Sequence, residues 1–260
     1  ESGIITPIFI GNKKRINKIA LQLKWDISPF QIYDEKHEAI SAEVASELCG
    51  AGEADVLMKG HLHTDIFMKA VLNDKSKLKT NSRLVHLFYI TPPNNGKPVI
   101  ISDAAVNISP SIETRKTSTI KSVELLRKLG VKYPKIAFLS HSTFGEPATD
   151  RTKRLSDAVE ILKRSKVDFK FDGEMQPDVA LEEIYKELYP FSEIVGNSNV
   201  LIMPSQHSAA ISYKMIKSMS RAKVIGPLLI GLGLPIEIAP LRTSTSEIIN
   251  LASIAAYSSD

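Results

Sequence analysis

Cysteine is nearly absent from this 260-residue chain: Cys49 stands alone, so no intramolecular disulfide can form and no cysteine cluster can hold zinc. A chain of this length buries a sizeable core without covalent staples, and its lone thiol suits a reducing compartment, so a cytoplasmic location is expected. Charge of one sign is not in excess either. Lys+Arg number 33 against Asp+Glu 29, with the signs alternating along the chain, which argues against a nucleic-acid partner. Long hydrophobic runs are also missing. The longest, VIGPLLIGLGLPI at 224–236, has 13 residues and is broken by glycine and proline, where a bilayer span needs about 18, so no membrane partner is expected. The opening ESGIITPIFIG lacks an initiator Met, a basic n-region and a small-residue cleavage site, and reads neither as a signal peptide nor as a natural start. Internal repeats and low-complexity tracts are absent, which removes solenoids and tails. With 43% hydrophobic and 24% charged residues, disorder and coiled coils drop out as well, and a packed enzyme-like fold remains.

What is present is an alternation. Short β-branched runs bounded by turn residues read as strands: IITPIFI (4–10), FQIY (30–33), DVLMK (55–59), LVHLFYI (84–90), PVIIS (98–102), KIAFLS (135–140), FKFD (169–172), NVLIMP (199–204), KVIGPLLI (223–230) and PIEI (235–238). Between most of them lie stretches with helical spacing, at 14–25, 38–50, 119–130, 150–164, 208–220 and 245–257. Alternating strands and helices predict an α/β fold with mostly parallel sheets flanked by helices. The unbroken apolar character of NVLIM and IAFL fits strands covered on both faces. Gly130 is expected to stop a helix and Asp150 to cap one. The best internal boundary is TPPNNGKP (91–98), a domain hinge or a hairpin turn.

Nucleotide and hydrolase fingerprints are missing from the strand–helix junctions. There is no GxGxxG, no GxxxxGK[ST] and no GxSxG; GLGLP at 231–235 lacks the third glycine, and SHS at 140–142 is a polar strand end. The sharpest constellation is ADVLMKGHLHTD at 54–65. Ligands of open α/β sheets bind outside the carboxyl ends of strands, where helix N-termini hold anions. Three readings stay open. Lys59, Lys69, Gly60 and Thr64 could form an anion cradle; His61 and His63 could bind a metal with His141 and His207, as in a metal-dependent hydrolase; or the histidines merely cap a surface loop. Two further candidates follow strands: SDAAVNISPS (102–111), with Asp103, Asn107 and Ser109, and KFDGEMQPDVAL (170–181), with Asp172, Glu174 and Asp178. For the first the alternative is a tight Asx-type turn, for the second a cap on a helix beginning near Pro177. Trp25 and Cys49 read as packing residues.

Taken together, MKGHLHTDIFMKAVL, SRLVHLFYI, IISDAAVNISPSIE, FDGEMQPDVAL, NVLIMPSQHSAAISYKMIK and KVIGPLLIGLGLPIEI resemble, in collinear order, the phosphate acetyltransferase and phosphate butyryltransferase (phosphotransacetylase) family. The resemblance implies a two-domain fold like that of isocitrate and isopropylmalate dehydrogenases, with a cleft between the domains and a homodimeric assembly. It also implies acyl transfer between coenzyme A and phosphate (acyl-CoA + phosphate = acyl phosphate + CoA) with no cofactor and no metal. The domains would be residues 1–97 with 231–260, and 98–230.

Such chemistry needs a carboxylate to assist loss of the thiol proton, because a thiol with a pKa near 8.5 is mostly protonated at neutral pH, and cationic or N–H donors for phosphate and oxyanion. The resemblance puts the family's general-base aspartate on Glu247 and its phosphate-side arginine on Lys69, which has no bidentate fork. Arg83, Asn107 and Asp178 match directly. The family's serine–arginine pair falls on Pro240–Leu241, with Arg242, Thr243 and Ser244 close behind. The glycine–asparagine that opens the CoA-side helix falls on Ala209–Ala210, preceded by His207 and Ser208. These departures, with LSHSTFG (139–145) and YPFSEIVGNSNVLIMP (189–204), are similar to the phosphotransacetylase-like domain of some bacterial malic enzymes, for which an acetyl-CoA sensor is implied. The expected catalytic set is Glu247, Arg242 and Ser244, and the expected substrate-binding set is Lys69, Arg83, Thr64, Asn107, Asp178 and Ser208.

Overall fold

The computed structural model describes residues 3–93, 96–103, 106–146, 149–240 and 243–259. In chain order the elements are β1 (Phe9–Gly11), α1 (Lys13–Gln22), β2 (Ile32–Asp34), α2 (Glu38–Gly50), β3 (Leu57–Lys59), α3 (Thr64–Val71), β4 (Val85–Thr91), β5 (Val99–Ser102), α4 (Ile112–Lys128), β6 (Lys135–Leu139), α5 (Asp150–Arg164), β7 (Lys170–Met175), α6 (Pro177–Leu181), β8 (Val200–Ile202), α7 (Gln206–Met219), β9 (Lys223–Ile230), β10 (Ile236–Ile238) and α8 (Thr245–Ser259). Short 3-10 turns at Asp74–Ser76 and Glu183–Lys186 complete them.

Local chemistry sets the helix starts. Asn12, Ser111, Thr149 and Ser205 each accept a backbone N–H from the first turn of the helix they precede, satisfying donors that have no partner inside the helix. Pro177 opens α6, where its missing N–H costs nothing. The cap of α5 is Thr149 and not Asp150, because the Thr149 hydroxyl takes the Thr152 N–H at 3.3 Å while Asp150 becomes the first helical residue. Gly130, at φ +87°, follows the end of α4 in a conformation that a side chain disfavours.

The chain divides into two compact units, 1–82 with 231–260, and 83–230. In the first, β1 pairs with β2 and β3 with β10, both in parallel. In the second, the strand order is β9-β4-β5-β8-β6-β7. Its β5, β8, β6 and β7 are parallel neighbours, flanked by α4, α5, α6 and α7, and β5 and β8 are buried along their whole length. Phe88, Leu139, Met175, Leu201 and Met203 anchor the core of this unit.

Strand–helix alternation predicts parallel pairing, and β4 departs from it: it runs antiparallel to both β5 and β9. The link from Thr91 to Val99 is too short for the crossover that parallel neighbours require. TPPNNGKP is therefore a hairpin connection, although Asn94 and Asn95 lie outside the described residues. β4 pairs with β5 and β9 inside the second unit, which runs 83–230.

Candidate functional site

In the first unit the candidate residues collect at the carboxyl ends of β3 and β10. The Ala239 N–H bonds to the Lys59 carbonyl at 3.1 Å, which locks these two strand ends together. Lys59 is 6% exposed and donates to the Gly60 carbonyl at 3.2 Å; burial holds its ammonium pKa below the usual lysine value. His61, His63 and Thr64 are exposed on the turn into α3, and the His63 side chain does not cap it. Among the described residues no group of three or more His, Cys, Asp or Glu is placed to hold a metal ion. Thr64 and Lys69 are not brought together. Thr64 opens α3 and Lys69 sits in its last turn, five residues on and about 140° round the helix axis.

Past β10, Thr243 N–H and Oγ1–H both donate to the Pro240 carbonyl just ahead of α8; Leu241 and the expected Arg242 lie outside the described residues. Ser244 and Glu247 then form a reciprocal pair. Glu247 Oε2 accepts from the Ser244 N–H at 2.8 Å and from Ser244 Oγ at 2.9 Å, while the Glu247 N–H donates to Ser244 Oγ at 3.3 Å. This is a capping box, in which the third helical residue reaches back to the cap. Two of the three expected catalytic side chains are thus in contact, and together they start α8.

Glu237 on β10 was not among the sequence candidates. It is 3% exposed, its Oε2 lacks a partner, and burial lifts its carboxyl pKa well above the usual value. The only signal in the sequence is a charged residue inside the apolar PIEI.

In the second unit Asn107, Asp103 and His86 are neighbours, and the chain at 83–84 runs beside Asn107. Asp103 follows β5 directly and is 5% exposed. Its Oδ1 accepts the Val106 N–H at 3.1 Å and its Oδ2 accepts from Asn107 Nδ2. Asn107 Nδ2 also donates to the Leu84 carbonyl at 3.2 Å, which places the amide beside the residue that follows Arg83. Arg83 is exposed and makes no hydrogen bond or ion pair with any described residue. Extending the β4–β5 register, in which Leu87 faces Ser102, puts His86 opposite Asp103. The His86 imidazole packs edge-on to Phe88, with ring centres 5.1 Å apart. Its pKa is depressed to about 4 by burial, against the opposing pull of the Asp103 charge, so it is neutral at pH 7.

The remaining candidates serve the neighbouring strand ends. Ser208 completes a capping box with Ser205 at the start of α7: the Ser208 N–H donates to Ser205 Oγ at 3.3 Å, and the Ser205 N–H donates to Ser208 Oγ at 3.2 Å. Arg115, buried in α4, clamps the exit of β8 by donating to the Met203 and Pro204 carbonyls at 3.1 and 3.0 Å. Asp178 Oδ1 accepts its neighbour's N–H from Val179 at 3.0 Å, and Oδ2 accepts from the Tyr185 hydroxyl at 2.8 Å. Glu174 is fully buried with Ser156 Oγ on one oxygen and no partner on the other. Gly173 beside it sits at φ +141°, where a Cβ would lie 2.6 Å from the Phe138 carbonyl oxygen, so only glycine fits. His141 and His207 are exposed on separate strand exits.

Comparison with known proteins bears on this arrangement. Residues 41–256 match the sequence profile of a family described as phosphate acetyl/butaryl transferase. An NADP-dependent malic enzyme from Rhizobium meliloti (strain 1021) is 44% identical over 162 residues, covering 62% of this chain and 21% of that protein. The chain thus spans about a fifth of that relative's length. A phosphate acetyltransferase from Clostridium acetobutylicum is 27% identical over 288 residues, covering 98% of this chain and 86% of that one. The crystal structure of a phosphotransacetylase from Streptococcus pyogenes matches with a TM-score of 0.84 at 24% identity, over 99% of this chain and 87% of that one, a likeness of fold.

Proposed function

Because the chain belongs to the phosphate acetyl/butaryl transferase family, we propose that it moves an acetyl or butyryl group between the thiol of coenzyme A and inorganic phosphate. The observation that carries this reading is the extent of the family match, 41–256, which includes every expected site residue. Thiol attack on the acyl carbon of an acyl phosphate gives a tetrahedral oxyanion, which collapses to thioester and phosphate. Glu247 takes the thiol proton, with Ser244 holding the carboxylate through Oε2. Arg83, Lys69 and Arg242 neutralise the phosphoryl group, and Thr64, Asn107, Asp178 and Ser208 position the two substrates.

The same proposal includes the isocitrate/isopropylmalate dehydrogenase-like class for the fold, a homodimer in the cytoplasm, and catalysis without a metal or other cofactor. The free, buried Cys49 supports a reducing compartment. Among the described residues no helix is long and apolar enough to cross a membrane, and the evenly mixed charges of the chain give no basis for nucleic-acid binding.

The test mixes purified protein with coenzyme A and acetyl or butyryl phosphate, without added metal, and follows loss of free thiol. Turnover is expected, and the faster donor fixes the acyl chain. A protein that binds acetyl-CoA in calorimetry yet never consumes thiol refutes catalysis and leaves the acyl-CoA sensor, a reading for which the malic-enzyme relative speaks. Complete inactivation by a chelator revives the metal hydrolase built on His61 and His63.

A further inference from the structure

An asparagine amide ordinarily offers two donors and one acceptor, and which of these reaches a ligand depends on what the protein has already used. At Asn107 both donors are used. Nδ2 gives one hydrogen to the Leu84 carbonyl and the other to the Asp103 carboxylate. Both partners are pure acceptors, so the amide cannot be flipped without setting oxygen against oxygen, and the assignment of N and O is fixed by chemistry. What Asn107 has left is Oδ1. The residue is half-buried, and no described group donates to that oxygen.

Asp103 accepts from the Asn107 amide directly. Its second oxygen takes the Val106 N–H, while Asn107 itself bonds to the Leu84 carbonyl that precedes β4. Beside Asp103 stands the neutral, buried His86, and the Leu84 carbonyl, one residue after the exposed Arg83, completes the clamp.

We propose that Asn107 is held as a hydrogen-bond acceptor, with Asp103 as the positioning residue that fixes its amide, so the substrate group it recognises is a neutral donor. Resting on the acyl-transfer reading, this narrows the group to a neutral N–H or O–H donor of coenzyme A or the P–OH of protonated phosphate. An unprotonated phosphate oxygen, which requires donors, is excluded at this position and falls to the cationic residues.

Four proteins test it in the direction acetyl-CoA plus phosphate: wild type, Asn107→Ala, Asp103→Asn and the double variant, with kcat/KM measured for each substrate in turn. Loss of one uncharged hydrogen bond is expected to lower kcat/KM about three- to tenfold for the substrate that donates. A loss falling on acetyl-CoA places the donor on coenzyme A, and a loss falling on phosphate identifies P–OH. Because Asp103 acts through Asn107, Asp103→Asn is expected to match Asn107→Ala, and the double variant to be no worse than either. Activity within twofold of wild type for both substrates in Asn107→Ala overturns the inference, as does a double variant whose losses multiply. Should Asp103→Asn fail to fold, Asn107→Ala and Asn107→Leu must both show the substrate-selective loss, with melting temperatures near wild type. A wild type that binds acetyl-CoA without turnover moves the same comparison to Kd by calorimetry, where equal Kd in all variants overturns the inference. A wild type that neither turns over nor binds overturns the functional reading and the inference with it.

Discussion

Glu247 carries two duties that one pair of substitutions separates. As the third residue of α8 it accepts the Ser244 N–H at 2.8 Å and Ser244 Oγ at 2.9 Å. As the proposed base it must also take a proton. Glutamine keeps an oxygen that can accept both Ser244 bonds, so Glu247→Gln preserves the capping box and forfeits only the negative charge near the helix start, a loss of about 0.5 kcal/mol. Alanine removes the box as well, and the cost rises to about 1–2 kcal/mol, or a melting temperature lower by roughly 2–4 °C for a protein of this size. Catalysis divides differently. Neither residue accepts the thiol proton, so both variants are expected to lose about 10²–10⁴ in kcat. Binding of coenzyme A, measured by calorimetry, is expected to change far less, because help in deprotonation is realised in the transition state. A Glu247→Gln protein with wild-type kcat would refute the base assignment and leave Glu247 a capping residue.

Two more outcomes follow from burial. The native His86 has a pKa of about 4 against 6.5 for a free imidazole, so between those values the unfolded chain binds a proton that the native state refuses. Stability is therefore present above pH 6.5 and falls as pH drops towards 4, by about 3 kcal/mol in all. Urea midpoints at stepped pH should show that slope in wild type and a flatter one in His86→Leu; identical slopes would remove His86 as the cause. Burial, with Asp55 adding to it, lifts the Cys49 thiol to about 11. A disulfide reagent at pH 8 is accordingly expected to modify Cys49 only after denaturation, and rapid labelling of the native protein would contradict the packing assigned to this residue.

How much of this was legible in the sequence depends on the range over which each feature is determined. The strand runs are local signals of apolar, β-branched residues, and each of them overlaps a strand. Pairing direction is a longer-range property. LVHLFYI and PVIIS sit in a strand–helix series that predicts parallel pairing, and of the hinge and the hairpin turn open for the link between them, its shortness and their antiparallel pairing select the hairpin. Buried polar residues were harder to see. In PIEI and LVHLFYI a single Glu237 or His86 interrupts an apolar run, but β10 is three residues long, too short for alternation to reveal a face. The orientation of the Asn107 amide could not be read at all, since it is set by a carbonyl 23 residues away along the chain.

The spacing S-x-x-E at 244–247 was readable and had two meanings. It is a helix-start signature, and it covers two residues on which the resemblance places catalytic roles. Ser205-x-x-Ser208 shows the same ambiguity at α7, on the other candidate helix. Both readings hold together for a physical reason. A helix that follows a strand begins at the carboxyl edge of the sheet, where ligands of α/β folds bind. The side chains of its first turn are fixed there by hydrogen bonds to orphaned backbone N–H groups. That fixing supplies the orientation a reacting or positioning group needs, without extra residues to hold it. The consequence is that substitution at such positions changes stability and activity together unless the replacement keeps the cap, so Glu247→Gln, and not Glu247→Ala, is the variant that isolates the chemistry.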